Sequence, residues 1–162
     1  MKHFFLSLLI LIVTLSVHAQ KTYGVKISLG AELGAVTGDI SDLYSFAAGA
    51  TGQLDFSVDN SLTITGNAGL IQLIGKKINS SVKNTSLTLV PLLGGIKYYF
   101  TKNIYGSGQL GSSVRLRKDG GSIFTYIPGI GIKFDNRVDA LIKYTGYKDL
   151  GGTFGVRIGY TL

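Results

Sequence analysis

The side chains able to do chemistry in this 162-residue chain are few, and their kinds already exclude a good deal. There is no cysteine, so no thiol nucleophile, thiolate metal site or disulfide framework is available. Only 2 histidines occur, His3 and His18, and both fall in an N-terminal stretch that reads as a removable address. Met1-Lys2-His3 is a short cationic start, Phe4–Leu15 is an apolar run interrupted by Ser7 and Thr14, and Val17 and Ala19 put small residues before Gln20. That is the three-part pattern of a secretory signal peptide, expected over 1–19, and its apolar run is shorter than the ~20 residues a spanning helix needs. The remaining chain, 20–162, holds no histidine, so the usual general base and the commonest metal ligand go with the signal. No catalytic residue, metal site or cofactor is expected.

Gly106-Ser107-Gly108-Gln109-Leu110-Gly111 reproduces the spacing G-x-G-x-x-G. A dinucleotide site needs that loop to open a helix, and no helical period follows here. Glycines so placed suit strands that bend and pack closely. What is left for function is a set of nine charges of mixed sign: Lys26, Glu32, Asp55, Lys97, Arg115, Lys133, Asp139, Lys143 and Arg157. Their meaning depends on the elements that carry them.

Those elements read as strands, because apolar residues recur at every second position. Val25, Ile27, Leu29, Ala31, Leu33 and Ala35 alternate with Lys26, Ser28, Gly30, Glu32 and Gly34. Seven further segments follow, centred on the runs 46–58, 62–70, 87–100, 104–116, 124–134, 138–145 and 153–162. The fourth is apolar on both faces; Val90, Leu92, Ile96, Tyr98 and Phe100 are assigned to the apolar side because that leaves Lys97 on the polar one. Connections alternate too. Tight turns fall at 59–60, 101–103 and 135–137, and longer ones at roughly 37–45, 75–84, 117–122 and 146–152. Short turns at one rim and longer loops at the other, with an even strand number, is the arrangement of outer-membrane barrels. Closure follows, because an open sheet edge cannot sit in lipid.

The competing arrangement is a soluble lipocalin-like or streptavidin-like barrel with its apolar face inward around a ligand. The polar face decides between them. A water-facing surface carries ~25–35% charged residues, whereas this face is mostly Gly, Ser, Thr and Asn with isolated charges. Charged residues make up 15% of the chain, against a usual ~25%. Aromatic residues also gather near strand ends, Phe56, Tyr98, Phe100, Phe134 and Tyr160 at one rim and Tyr44, Phe46, Phe124, Tyr144 and Phe154 at the other, as interfacial girdles do. The expected fold is therefore an all-β, closed, eight-stranded, antiparallel up-and-down transmembrane β-barrel over 20–162, preceded by a cleaved signal peptide.

The signal sequence, the run Leu89-Val90-Pro91-Leu92-Leu93-Gly94-Gly95-Ile96-Lys97-Tyr98-Tyr99-Phe100 and the last strand resemble small outer-membrane β-barrel proteins of the porin family, OmpA/OmpX-like and of the Bacteroidetes type. The resemblance implies residence in the cell outer membrane of a Gram-negative bacterium and recognition of the last strand by the barrel-assembly machinery. Phe154, Val156, Ile158, Tyr160 and Leu162 would carry that signal, although Leu162 stands where the family usually ends in an aromatic residue.

With the apolar face turned to lipid, the nine charges point inward. An eight-stranded lumen is filled by side chains, so a paired network that plugs it is expected, with Lys133–Asp139 and Lys26–Asp55 as neighbouring pairs, rather than a selective pore. Lys76, Lys77, Lys83, Lys118 and Lys148 in the longer loops are solvated charges or contacts for lipopolysaccharide phosphates. No basic stripe interleaved with aromatics points to nucleic acid. The expected function is non-catalytic, structural or surface-interacting, by a monomer among outer-membrane lipids; a narrow solute channel and a soluble ligand-binding barrel are the alternatives. Barrel enzymes such as lipid-A deacylases resemble one another in using a histidine, which is missing beyond residue 19.

Overall fold

The computed structural model describes residues 24–79, 82–83, 86–117 and 120–162. The expected signal peptide and Lys118 lie outside them. Among the described residues ten strands follow in chain order: β1 (Val25–Thr37), β2 (Tyr44–Ser57), β3 (Leu62–Gly75), β4 (Lys77–Asn79), β5 (Val82–Lys83), β6 (Leu87–Tyr99), β7 (Ile104–Arg115), β8 (Ser122–Lys133), β9 (Val138–Tyr147) and β10 (Gly151–Thr161). Eight of them close an antiparallel barrel in which each strand pairs with its chain neighbour and β10 returns to β1; β4 and β5 form a separate ribbon in the β3–β6 loop. The up-and-down barrel expected from the alternation is what the chain forms.

Every charged residue in the eight barrel strands is one of the nine, and each falls on the inward side of the pleat. The outward side carries Leu29, Leu33, Ile64, Leu70, Leu92, Leu110, Ile130, Ile142 and Ile158, all at least half exposed. A contiguous apolar surface with no charge is rare on soluble proteins, and it matches the lipid-facing band of a transmembrane barrel. In β6 the expected parity holds: Leu92, Ile96 and Tyr98 are exposed and Lys97 is buried. Strands of 10 to 14 residues reach or exceed the ~9–11 that cross the hydrocarbon layer.

The three tight turns use one device. Asp59 Oδ1 accepts from the backbone N–H of Ser61 and Leu62, at 2.6 and 2.8 Å. Asp135 Oδ1 accepts from Arg137 and Val138, at 2.6 and 2.7 Å, and Thr101 Oγ1 from Asn103 and Ile104, at 3.3 and 3.0 Å. A short side-chain oxygen at the first turn position thus replaces a backbone acceptor and fixes the hairpin. Two N–H donors hold the exposed Asp135 carboxyl below its ordinary range.

One connection differs from expectation. The β9–β10 loop, read as long, is residues 148–150, because both strands run on past the rim and turn through Asp149, at φ 63°, and Gly151. The β1–β2 loop folds inward. Its 3-10 turn, Asp39–Asp42, buries Ile40, whose N–H donates to the Leu150 carbonyl at 3.2 Å.

Candidate functional site: a lumen with two chemistries

Arg157 is the centre of the inward network. Its side chain is 1% exposed, and its guanidinium lies against the bare backbone of Gly30 and Gly159, where any Cβ would collide with it. Those two glycines are register partners on β1 and β10, so the strand seam makes the groove in which the guanidinium rests. Arg157 Nε donates to Thr51 Oγ1 and Nη2 to Ser28 Oγ, both at 3.1 Å. Its charge faces Glu32 at 4.0 Å and Asp139 at 3.8 Å.

Each inward acid is claimed in the same region. Glu32 pairs with Lys143 and accepts from Thr51 Oγ1 at 2.7 Å. Asp55 pairs with Lys97 at 2.8 Å and accepts from Gln53 Nε2 at 2.7 Å. Asp139 accepts from the phenol of Tyr105, a ring that is fully buried over Gly131. Charges buried this deeply are tolerated only when paired and hydrogen-bonded. A cavity of only about 30 Å³ remains beside the network, touching Glu32, Thr51, Asn67, Ser113 and Lys143, room for about one water.

The two pairs expected from adjacency do not form. Lys26 and Asp55 are register partners, as are Lys133 and Asp139, yet both acids bond to other groups. Asp55 reaches over β3 to Lys97 on β6 and Asp139 over β8 to Tyr105 on β7, and these partners are more deeply buried than Lys26 and Lys133. Lys133 instead lies over the Tyr99 ring, 5.6 Å from its centroid. Lys26 is exposed at the short-turn mouth, where both lysines line an open vestibule of about 400 Å³ with Lys97, Tyr99 and Asp139.

Arg115 is not in the network at all. It lies at the opposite mouth, paired in register with Leu89, among inward residues that the alternation did not identify. Leu73, Leu87, Leu89, Ile123 and Tyr147 are buried there with Ile40, Ala47 and Ile71. Toward the long loops the lumen is therefore lined by large apolar side chains, where mostly small polar ones were expected. The sequence signal was present in Leu87–Leu93, which is apolar on both faces.

Among the described residues no three acids gather closely enough to hold a metal ion. No helix there is long and apolar enough to cross a membrane, which has no bearing on strands. The residues expected as an assembly signal, Phe154, Val156, Ile158, Tyr160 and Leu162, form an exposed outward row on and just beyond β10.

No protein-family model and no curated protein sequence matches the chain. Solved structures do match its fold. The Yersinia pestis outer-membrane protein Ail, in a phospholipid bilayer nanodisc, superposes with a TM-score of 0.60 at 14% identity, over 86% of this chain and all of Ail (100%). The Ail crystal structure gives 0.58 at 16% identity, over 85% and 97%. A de novo designed transmembrane barrel, TMB2.3, gives 0.58 at 16% identity, over 88% and 98%. Fold and sidedness together define a small transmembrane β-barrel. Its architecture is that of the outer-membrane barrels of the OmpA/OmpX/Ail type.

Proposed function

We propose that this chain is an integral outer-membrane protein that works without catalysis, through its structure and surface contacts, and whose lumen is closed by its own side chains. The observation that carries this reading is the packing of buried side chains across the middle of the lumen, between its two open mouths. Arg157, Lys143, Glu32, Tyr105 and Gln53 obstruct the middle, and the apolar layer at Leu73 and Leu89 follows it. A network whose acids are all paired has no open charged pathway for a hydrated ion. Its placement in the bacterial outer membrane is supported by the charge-free outward band and by the fold shared with Ail. Lys76 and Lys148, exposed in the longer loops, are suited to lipopolysaccharide phosphates by charge. Recognition of the β10 row by the assembly machinery and a monomeric state belong to the same reading.

Reconstitution into planar bilayers tests it. The plugged barrel gives no reproducible ion conductance above that of protein-free membranes, and stepwise conductance would overturn it in favour of a narrow channel. Cell fractionation with heat-modifiable migration on detergent gels tests placement. Recovery as a soluble periplasmic protein would reinstate a lipocalin-like carrier.

A further inference from the structure

At the long-loop mouth the barrel holds an open pocket of about 470 Å³. Its wall is apolar: Leu73, Leu87, Leu89, Ile123 and Tyr147 inside the barrel, with Leu150 at the rim. Its charged lining residues are two cations, Arg115 and Arg117. Six cations and three acids face the lumen, and the three acids are taken by Lys97, Lys143, Arg157 and Tyr105. Asp39, Asp42 and Asp149 stand at the same end, but none lines the pocket or comes within ion-pairing distance of either arginine. Arg115 Nε is buried and has no hydrogen-bond partner among the described residues. A guanidinium beside leucine, without an anion among the described residues (Asp119 lies outside them) and with a buried donor unmet there, leaves a charge and a fork of donors to be matched from outside.

We propose that this pocket binds a single-chain carboxylate amphiphile, a fatty acid of short to medium length. The guanidinium fork of Arg115 takes the carboxylate, Arg117 adds charge at the rim, and the chain lies on Leu73, Leu87, Leu89 and Ile123. The volume falls in the range of small-ligand sites and suits one chain better than a two-chain lipid. The wall residues are inward positions behind the sheet backbone, so entry is between the loops from the aqueous side and not sideways from the bilayer. No covalent step is involved.

The test uses the full mature barrel in phosphatidylcholine nanodiscs, with empty nanodiscs as the baseline, and carboxyl-13C decanoate observed by NMR. Saturable binding above the baseline is expected. Arg115→Gln should weaken it about tenfold, within the worth of one lost charge-assisted contact, with heat-modifiable migration unchanged. Ile123→Ser should weaken it by a smaller factor, and Arg115→Lys should retain part of it. Decanol should compete poorly. Binding no greater than in empty nanodiscs, wild-type affinity in Arg115→Gln, or equal competition by decanol would overturn the proposal. Preference for a single-chain lysophosphatidate over decanoate would overturn the carboxylate assignment and make the ligand a phosphate lipid.

Discussion

Toward the short turns the lumen is held by ions, and toward the long loops by hydrocarbon. In the first region Arg157 sits among Glu32, Asp139, Thr51 and Ser28, and Lys97 and Lys143 each take an acid. In the second, Leu73 and Leu89 are as deeply buried, at 2% and 1% exposure, with no polar partner required. Both regions bury their central side chains, but they differ in how they respond to loss of one member. A buried network is worth most as a complete set, since deleting one ion leaves its partners buried and unmatched. An apolar layer loses contacts locally and in proportion to the atoms removed.

The largest expected effect therefore comes from Arg157→Ala. It leaves Asp139 with only the Tyr105 phenol and should cost about 3–5 kcal/mol, the range for breaking a buried pair, read as a lowered urea midpoint for loss of the heat-modifiable band in liposomes. Arg157→Met sharpens the comparison. If this apolar variant matched the wild-type midpoint, the two regions would be interchangeable in chemistry. Leu89→Ala should come next, at about 2–3 kcal/mol, the low side for leucine truncation because the site borders an open pocket. A loss equal to that of Arg157→Ala would dissolve the distinction. Gly131→Ala follows at about 1–3 kcal/mol, the usual cost of overpacking. Its new Cβ would strike the Tyr105 ring and should displace the phenol from Asp139, visible as a changed Tyr105 resonance.

The smallest effect lies outside the lumen, in the turn at Asp135. Its carboxyl titrates below the ordinary range because the ionised form accepts two backbone N–H groups. The stabilisation is thus complete above the unfolded carboxylate pKa and disappears as pH falls through the lower folded value. Asp135→Ala should lower the urea midpoint slightly at neutral pH and converge on wild type in acid. An unchanged gap at low pH would show that ionisation of Asp135 does not matter to the turn.

The difference between the two regions also explains what could be read from the sequence. Alternation such as Lys26–Ile27–Ser28–Leu29 specifies both faces at once, and the tight turns bring it into register, so strand number, parity and closure were legible. The apolar layer was not, because segments such as Leu87–Leu93 are apolar on both faces and give no period to read. The ion partners were hidden for another reason. Neighbourhood along paired strands is local, and it favoured Lys133–Asp139, whereas contact over an intervening strand depends on strand tilt and stagger, which no short window contains. Arg115 looked like a member of one network and belongs to the other region.

The seam adds a consequence for assembly. Hairpins β2–β3, β6–β7 and β8–β9 each carry much of their pairing with sequence neighbours, and the β2–β3, β6–β7 and β8–β9 turns are tied by Asp59, Thr101 and Asp135. The β1–β10 pairing joins opposite ends of the chain, and there Glu32 stands in register with Arg157. An unclosed barrel would leave Arg157 without its β1 acid and without the Gly30 side of its groove. Joining the first strand to the last and seating the central cation are thus one event, and the finished ring is marked by the arginine it encloses.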